Sequence, residues 1–182
     1  MASINVPSVE TDRLRLRPLR EDDIPDWERL IFADPDVTRY LPGPDITPRE
    51  RAERLYRAFT GHWERNGYGI WAMTDRETGD FIGQCGLNRI PDLGETEVDY
   101  ALGRHAWGRG LATEAASAVV RYAFETAGLP RLIGFVIPEN VASRRVLERI
   151  GFRFETEMHY WGVDLVRYGL QRDEFVDPGT TA

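Results

Sequence analysis

The stretch "GRHAWGRGLATEA", Gly103 to Ala115, sets glycines on both sides of an arginine and leads into a helix-like run. Glycine lets a backbone turn tightly or come close to a bound group. A helix start adds free N–H groups and the positive end of the helix dipole. Three anion chemistries compete for such a loop. A phosphate loop needs G-x-x-x-x-G-K-[ST], with Lys on the phosphates and a hydroxyl on Mg²⁺. Gly103 and Gly108 have that spacing, but Arg109 and Gly110 stand where Lys and Ser/Thr belong, so the metal ligand is missing and ATP is excluded. A dinucleotide fingerprint needs G-x-G-x-x-[GA]; Gly108 and Gly110 fit it and Thr113 does not. The third is a pyrophosphate held by successive backbone N–H groups at a helix start, which needs small residues and no metal ligand. "WGRGLA" supplies these. Taken alone, the loop reads equally well as a plain strand-to-helix turn. A covalent route would fall to Cys85, but "FIGQCGL" puts that thiol mid-strand, where an inert buried cysteine is usual. Nothing pairs His62, His105 or His159 with it.

The elements that must position this loop are legible from periodicity. "TDRLRLRPL" alternates as a strand with one wet face, and "EDDIPDWERLIF" carries Trp27, Leu30 and Ile31 at helical spacing. Thr47, Pro48 and Glu50 form a capping-box start for a helix with an apolar stripe through Ala52, Leu55, Tyr56, Phe59 and Trp63, and Gly67 lies just past its end. "YGIWAMTD" and "DFIGQCGLNRI" read as two strands joined by "RETG", and "GETEVDYALG" as a third. A helix follows from about Leu111 to Ala127, closed by Gly128. "RLIGFVI" is nearly all apolar, as a strand covered on both faces would be. "ENVASRRVLERIG" is a helix capped by Asn140, and "FRFETEMHYWG" with "VDLVRYGLQ" closes the chain as a hairpin. The aromatics Trp63, Tyr68, Trp71, Tyr160 and Trp161 are read as core rather than as a pocket. Strands and helices share one core, so the fold class is α/β (α+β) in one domain without a linker.

With 182 residues, one domain is the default, and 42% hydrophobic residues suffice for a core. Residues 1–10 read as a lead-in, 11–172 as the domain and 173–182 as a tail. The net charge of −7 argues against nucleic acid as a partner and for a cationic one. All 23 basic residues are arginine, so the chain could not acetylate itself on a lysine. No apolar run approaches the ~18–20 residues that cross a membrane, and the start lacks the apolar segment of a secretory signal. One cysteine excludes an internal disulfide and a cysteine-rich metal site, and no metal is expected. The cytoplasm is the simplest location.

Three motifs, "RLRLRPLREDD", "EVDYALGRHAWGRGLATEA" and "PENVASRRVLERIGF", occur in this order and at this separation. Together they resemble the GNAT superfamily of acetyl-CoA-dependent N-acetyltransferases, and within it the RimJ/RimL-like branch, over about Thr11 to Leu170. The resemblance implies a mixed, mostly antiparallel sheet with helices on both faces. It implies acetyl-CoA as co-substrate, with its pyrophosphate on Trp107, Gly108, Arg109, Gly110, Leu111 and Ala112. Trp107 departs from the family's Gln or Arg, a change of little weight where backbone amides do the binding. The strand before the loop is implied to splay from its neighbour and meet the pantetheine arm through the backbone of Tyr100, Ala101 and Leu102. Asn140 matches the asparagine that touches the arm, and Asn before a helix is also an ordinary cap.

Acetyl transfer to an amine needs a neutral amine and a protonated leaving thiolate. Glu97, in "ETEVDY", resembles the branch's strand glutamate and is the candidate base, directly or through a water. Alternation sets Glu95, Glu97 and Asp99 on one side, so a solvated acidic face is the equal alternative. Many members protonate the thiolate with a tyrosine at the position that is Leu147 in this chain, and leucine cannot donate. Ser143, one turn after Asn140, is the substitute that RimL-like sequences suggest, donating a hydrogen bond to the sulfur. The acceptor is then a primary amine, a protein N-terminal α-amine or a small molecule. A non-catalytic acyl-CoA-binding or sensor domain is the alternative that Leu147 keeps open. Homodimers are common in such families, and no residue specifies one.

Overall fold

The computed structural model describes residues 5–177. The outermost parts of the lead-in (1–4) and of the tail (178–182) lie outside the described residues. The strands are β1 (Val9–Glu10), β2 (Leu14–Arg17), β3 (Ile70–Asp75), β4 (Phe81–Ile90), β5 (Glu95–Leu102), β6 (Arg131–Val136), β7 (Arg153–Tyr160) and β8 (Val163–Gln171). The helices are α1 (Ile24–Trp27), α2 (Pro35–Thr38), α3 (Pro48–Asn66), α4 (Leu111–Glu125) and α5 (Val141–Arg149). The strands form one sheet in the order β1-β2-β3-β4-β5-β6-β8-β7. Every neighbouring pair is antiparallel except β5 and β6, which run parallel.

Strand alternation divides the core between the two faces. On β3, Trp71 and Met73 point to one face, where Leu111, Ala115, Val119 and Ala123 of α4 and Leu147 of α5 pack. Ile70 and Ala72 point to the other, against Trp27 and Ile31 and against Ala52 and Phe59 of α3. Wholly buried side chains such as Trp71, Met73 and Trp27 contribute about 1.5–3 kcal/mol each, so both faces hold the sheet.

Local chemistry sets the element ends. The Thr47 hydroxyl accepts from Glu50 N–H while the Glu50 carboxylate accepts from Thr47 N–H, and Gly67 closes α3 at φ 72°. The stretch after Asp23 opens as α1 and widens into a π-type turn over Glu28–Phe32, where Ala33 N–H reaches back to the Glu28 carbonyl at 2.8 Å. That widening keeps Ile31 and Phe32 both buried. α4 stops at Glu125, because Thr126 and Ala127 both donate to the Tyr122 carbonyl, and Gly128 at φ 70° turns the chain. At the chain ends, Trp71 Nε1 donates to the Pro7 carbonyl, and Phe175 packs its ring on Phe124 of α4.

Candidate active site

β5 keeps full register with β4, from Gly83↔Leu102 to Ile90↔Glu95. With β6 it shares a single register pair, Glu97↔Ile133. Beyond Glu97 the two strands diverge, so the β6-facing backbone at Tyr100 and Leu102 has no strand partner, whereas Ala101 is a correction: its N–H and C=O point to β4. A cavity of about 730 Å³ passes through this opening. It is lined by Glu97 and Asp99 on one face of the sheet and by Tyr100, Asn140 and Ser143 on the other. One opening therefore joins the carboxylates to the start of α5.

The three acids of β5 differ in their surroundings. Glu95 meets Arg131 at 3.2 Å and Arg167 at 2.5 Å, and both arginines also pair with Glu155. Its charge is spent holding β5 to β6, β7 and β8. Glu97 is only 6% exposed, and its Oε1 accepts from Asn88 Nδ2 at 3.0 Å. Asp99 accepts from Gln84 Nε2 at 2.8 Å, and Gln84 is fixed by Trp27 Nε1 at 2.8 Å. Among the described residues no basic side chain pairs with Glu97 or Asp99. Burial, and then the Asp99 carboxylate beside it, push Glu97 up to about 8. Burial raises Asp99 as well. The acidic row is thus not a solvated face: Glu97 is buried and aimed into the cavity. Gln84 and Asn88, which orient the two carboxylates, went unremarked in the sequence. Their signal was the alternation of polar residues along β4.

On the opposite face, Asn140 caps α5 with its Oδ1 accepting from Ser143 N–H at 3.1 Å. That leaves the Asn140 amide N–H₂ free to donate. Ser143 Oγ lies 2.9 Å from the Tyr100 hydroxyl, which also donates to the Ser143 carbonyl at 3.1 Å. Burial holds the Tyr100 phenol protonated, above its ordinary range. Leu147 is buried, its methyl groups filling the space over Gly134. Cys85 is fully buried, and burial raises its thiol well above the usual range, so it is no nucleophile. His62 is a satisfied core histidine, its ring nitrogens engaged by the Tyr68 carbonyl and Arg89 N–H.

In the glycine loop, Gly108 (φ 71°) and Gly110 (φ 76°) both take the left-handed conformation, and Gly110 caps α4. The N–H groups of Gly108 to Ala112 donate to no protein acceptor among the described residues. A Cβ on Gly108 would meet nothing within 4 Å, so it is the positive φ and not crowding that calls for glycine there. The cradle fits a pyrophosphate. Trp107 pins the loop to the end of β5, its Nε1 donating to the Leu102 carbonyl at 2.9 Å. Arg13, just before β2, spans loop and helix. Its Nη1 donates to the Arg109 carbonyl at 2.8 Å and its Nε to Glu114 at 2.7 Å. Thr11 Oγ1 adds a 2.6 Å bond to the same carboxylate. Burial by itself would raise Glu114, but these bonds from Thr11 and Arg13 hold it below the ordinary carboxylate range. Such a group contributes stability above about pH 4.5 that is lost as pH falls through its folded value. Glu114→Ala should lower Tm by about 2–6 °C at neutral pH. The difference from the native chain should narrow below pH 4, which thermal melts across pH would read.

Of the aromatics assigned to the core, Trp63, Tyr68 and Trp71 are buried. Two are corrections: Tyr160 is only half-buried and outside the core, and Trp161 is 51% exposed at the β7–β8 turn and lines the cavity. Among the described residues no three His, Cys, Asp or Glu side chains gather as a metal site, and no helix is long and apolar enough to cross a membrane.

The acetyltransferase (GNAT) domain family matches residues 13–153. The uncharacterized N-acetyltransferase p20 of Bacillus licheniformis is 32% identical over 149 residues, 80% of this chain and 82% of that protein. The crystal structure of an acetyltransferase from Agrobacterium tumefaciens superposes with TM-score 0.81 at 33% identity, covering 92% of this chain and 96% of that one. Mycobacterium smegmatis RimJ in complex with CoA-disulfide shares the fold, with TM-score 0.74 at 23% identity over 88% of this chain and 83% of that one.

Proposed function

This chain belongs to the GNAT acetyltransferase family and is an acyltransferase, and from that premise we propose that it transfers acetyl directly from acetyl-CoA to a primary amine. The observation that carries the reading is the opening between β5 and β6, which sets Glu97 on one face and Ser143 on the other. That a fold neighbour holds CoA is in keeping with it.

Acetyl-CoA supplies a thioester whose carbonyl accepts the amine. The free amides of Gly108 to Ala112 would hold its pyrophosphate, the Trp107 N–H being taken by the Arg104 carbonyl, and the β6-facing backbone of Tyr100 and the Leu102 N–H, with the free Asn140 amide, would hold the arm. Glu97 takes a proton from the amine as the C–N bond forms. With a pKa near 8 it is a poised base near neutral pH. The Tyr100 O–H has one proton, and when it turns from the Ser143 carbonyl to Ser143 Oγ the serine's own proton is free to donate to the leaving sulfur. The thiolate leaves with that hydrogen bond, and the amide forms on the acceptor nitrogen. A free α-amine is neutral roughly a tenth of the time at pH 7, a lysine amine only about once in several thousand. The acceptor is therefore an α-amine, of a protein N-terminus or a small molecule, approaching past Glu97 and Asp99.

Titration calorimetry with acetyl-CoA, with ATP and NAD as controls, tests the binding half of the reading. Acetyl-CoA alone should bind; equal or absent binding of all three would overturn it. Thiol release with an amine panel tests the transfer. Ser143→Ala should cut kcat about 10–100-fold and Tyr100→Phe about 5–10-fold, since each removes one hydrogen bond on the path to the sulfur.

A further inference from the structure

We propose that Trp161 is the wall against which the acceptor's side chain lies, so that the acceptor is an α-amine carrying a flat apolar group. This rests on the amine-transfer reading above. Trp161 and Gly162 form the two-residue turn between β7 and β8, at φ 51° and 76°. Both central residues of such a turn need positive φ, which is why Asn-Gly dominates there. Trp161 is the one non-glycine residue with positive φ among the described residues. A bulky ring in that conformation is strained, and such strain collects at functional sites.

The ring is not taken up by the core, for half of it faces solvent. It stands edge-on to Phe135 at 5.7 Å and lies 4.7 Å from Tyr160. Phe135 is two residues after Ile133, which pairs with Glu97, so Phe135 points to the face of the sheet that carries Glu97 and Asp99. Trp161 lines the same cavity as those carboxylates. An acceptor whose amine reaches Glu97 therefore passes an exposed indole. Where ionised, the carboxylates attract the ammonium form, and the indole face stacks on an aromatic or similarly flat substituent. A bare amine meets only the first.

Phenylalaninamide and glycinamide are matched α-amines that differ by the ring. Their affinities by titration calorimetry in the presence of CoA, and their kcat/KM with acetyl-CoA, should favour phenylalaninamide about tenfold. In Trp161→Asn both preferences should fall to about one. The Asn-Gly turn that results keeps the hairpin, so Tm should stay within about 4 °C of the native value. A preference that survives in Trp161→Asn, or none in the native protein, would overturn the assignment. The two readings separate cleanly. Transfer to both amides without preference removes the Trp161 wall and leaves the transferase reading. Trp161-dependent binding of phenylalaninamide without any transfer keeps the wall and removes the proposed reaction.

Discussion

Glu97→Gln should lower kcat/KM by about 10²–10⁴-fold, the span that a positioned general base contributes. Gln is nearly isosteric, and its carbonyl oxygen still accepts from Asn88 Nδ2, so acetyl-CoA affinity should hold while turnover collapses. In the native protein the rate should climb with pH through about 8, because the base acts as carboxylate and burial beside Asp99 pushes its pKa up to about 8. The variant's residual rate should lack that inflection. A full rate in Glu97→Gln would move the base role elsewhere, Asp99 being the next carboxylate on the cavity.

The same substitution should act on stability in the opposite sense. A carboxyl raised from 4.5 to about 8 in the folded state contributes stability that is fully present below about pH 4.5. Between those values the unfolded chain releases a proton that the folded chain retains, and the contribution is lost as pH rises through about 8. The native Tm should therefore fall more steeply between pH 5 and 9 than that of Glu97→Gln, and the variant should be the more stable protein at pH 9. Melts at several pH values read this directly. A rate loss with a stability gain is the signature of a buried group kept for chemistry rather than for folding.

What local chemistry could signal was legible in the sequence. Thr47, Asn140 and the glycines at 67, 128 and 151 mark element ends by caps and left-handed turns, and each takes that role. Gly108 and Gly110 marked the cradle because only glycine takes its φ values without strain. The features left unread are non-local. The single β5–β6 pair follows from how the whole sheet twists, and no residue of β5 announces it. Arg13 meets Glu114 across 101 residues, and Tyr100 meets Ser143 across 43. Glu97 was undecided between base and solvated acid because alternation tells which face a residue takes but not what covers it. Trp161 was assigned to the core by its type. The "WG" at the hairpin tip was the available sign, since a two-residue turn forces its first residue, here the tryptophan, to positive φ in both common types.

Gly110→Val should weaken acetyl-CoA binding by about a hundredfold or more, through two separable effects. A Cβ at Gly110 would meet Arg13 at 3.6 Å, an ordinary contact, so the protein has room for the side chain. The cost arises first from a β-branched residue at φ 76°, about 1–2 kcal/mol, or about 2–8 °C in Tm. The second arises if the loop relaxes to negative φ, turning the amides of 108–112 away from a common centre. Each charge-assisted bond so lost is worth about 1.5–3 kcal/mol, and two suffice for a hundredfold. Gly67→Val supplies the matching control. Gly67 has φ 72° and open space around it at the end of α3, away from the loop. It should lose the same few degrees of Tm and bind acetyl-CoA as the native chain does. Loss of binding in Gly110→Val alone assigns the cradle to the pyrophosphate. Unchanged binding in both variants would make the loop no more than the turn that starts α4, and the thioester would have to be held by another part of the cavity.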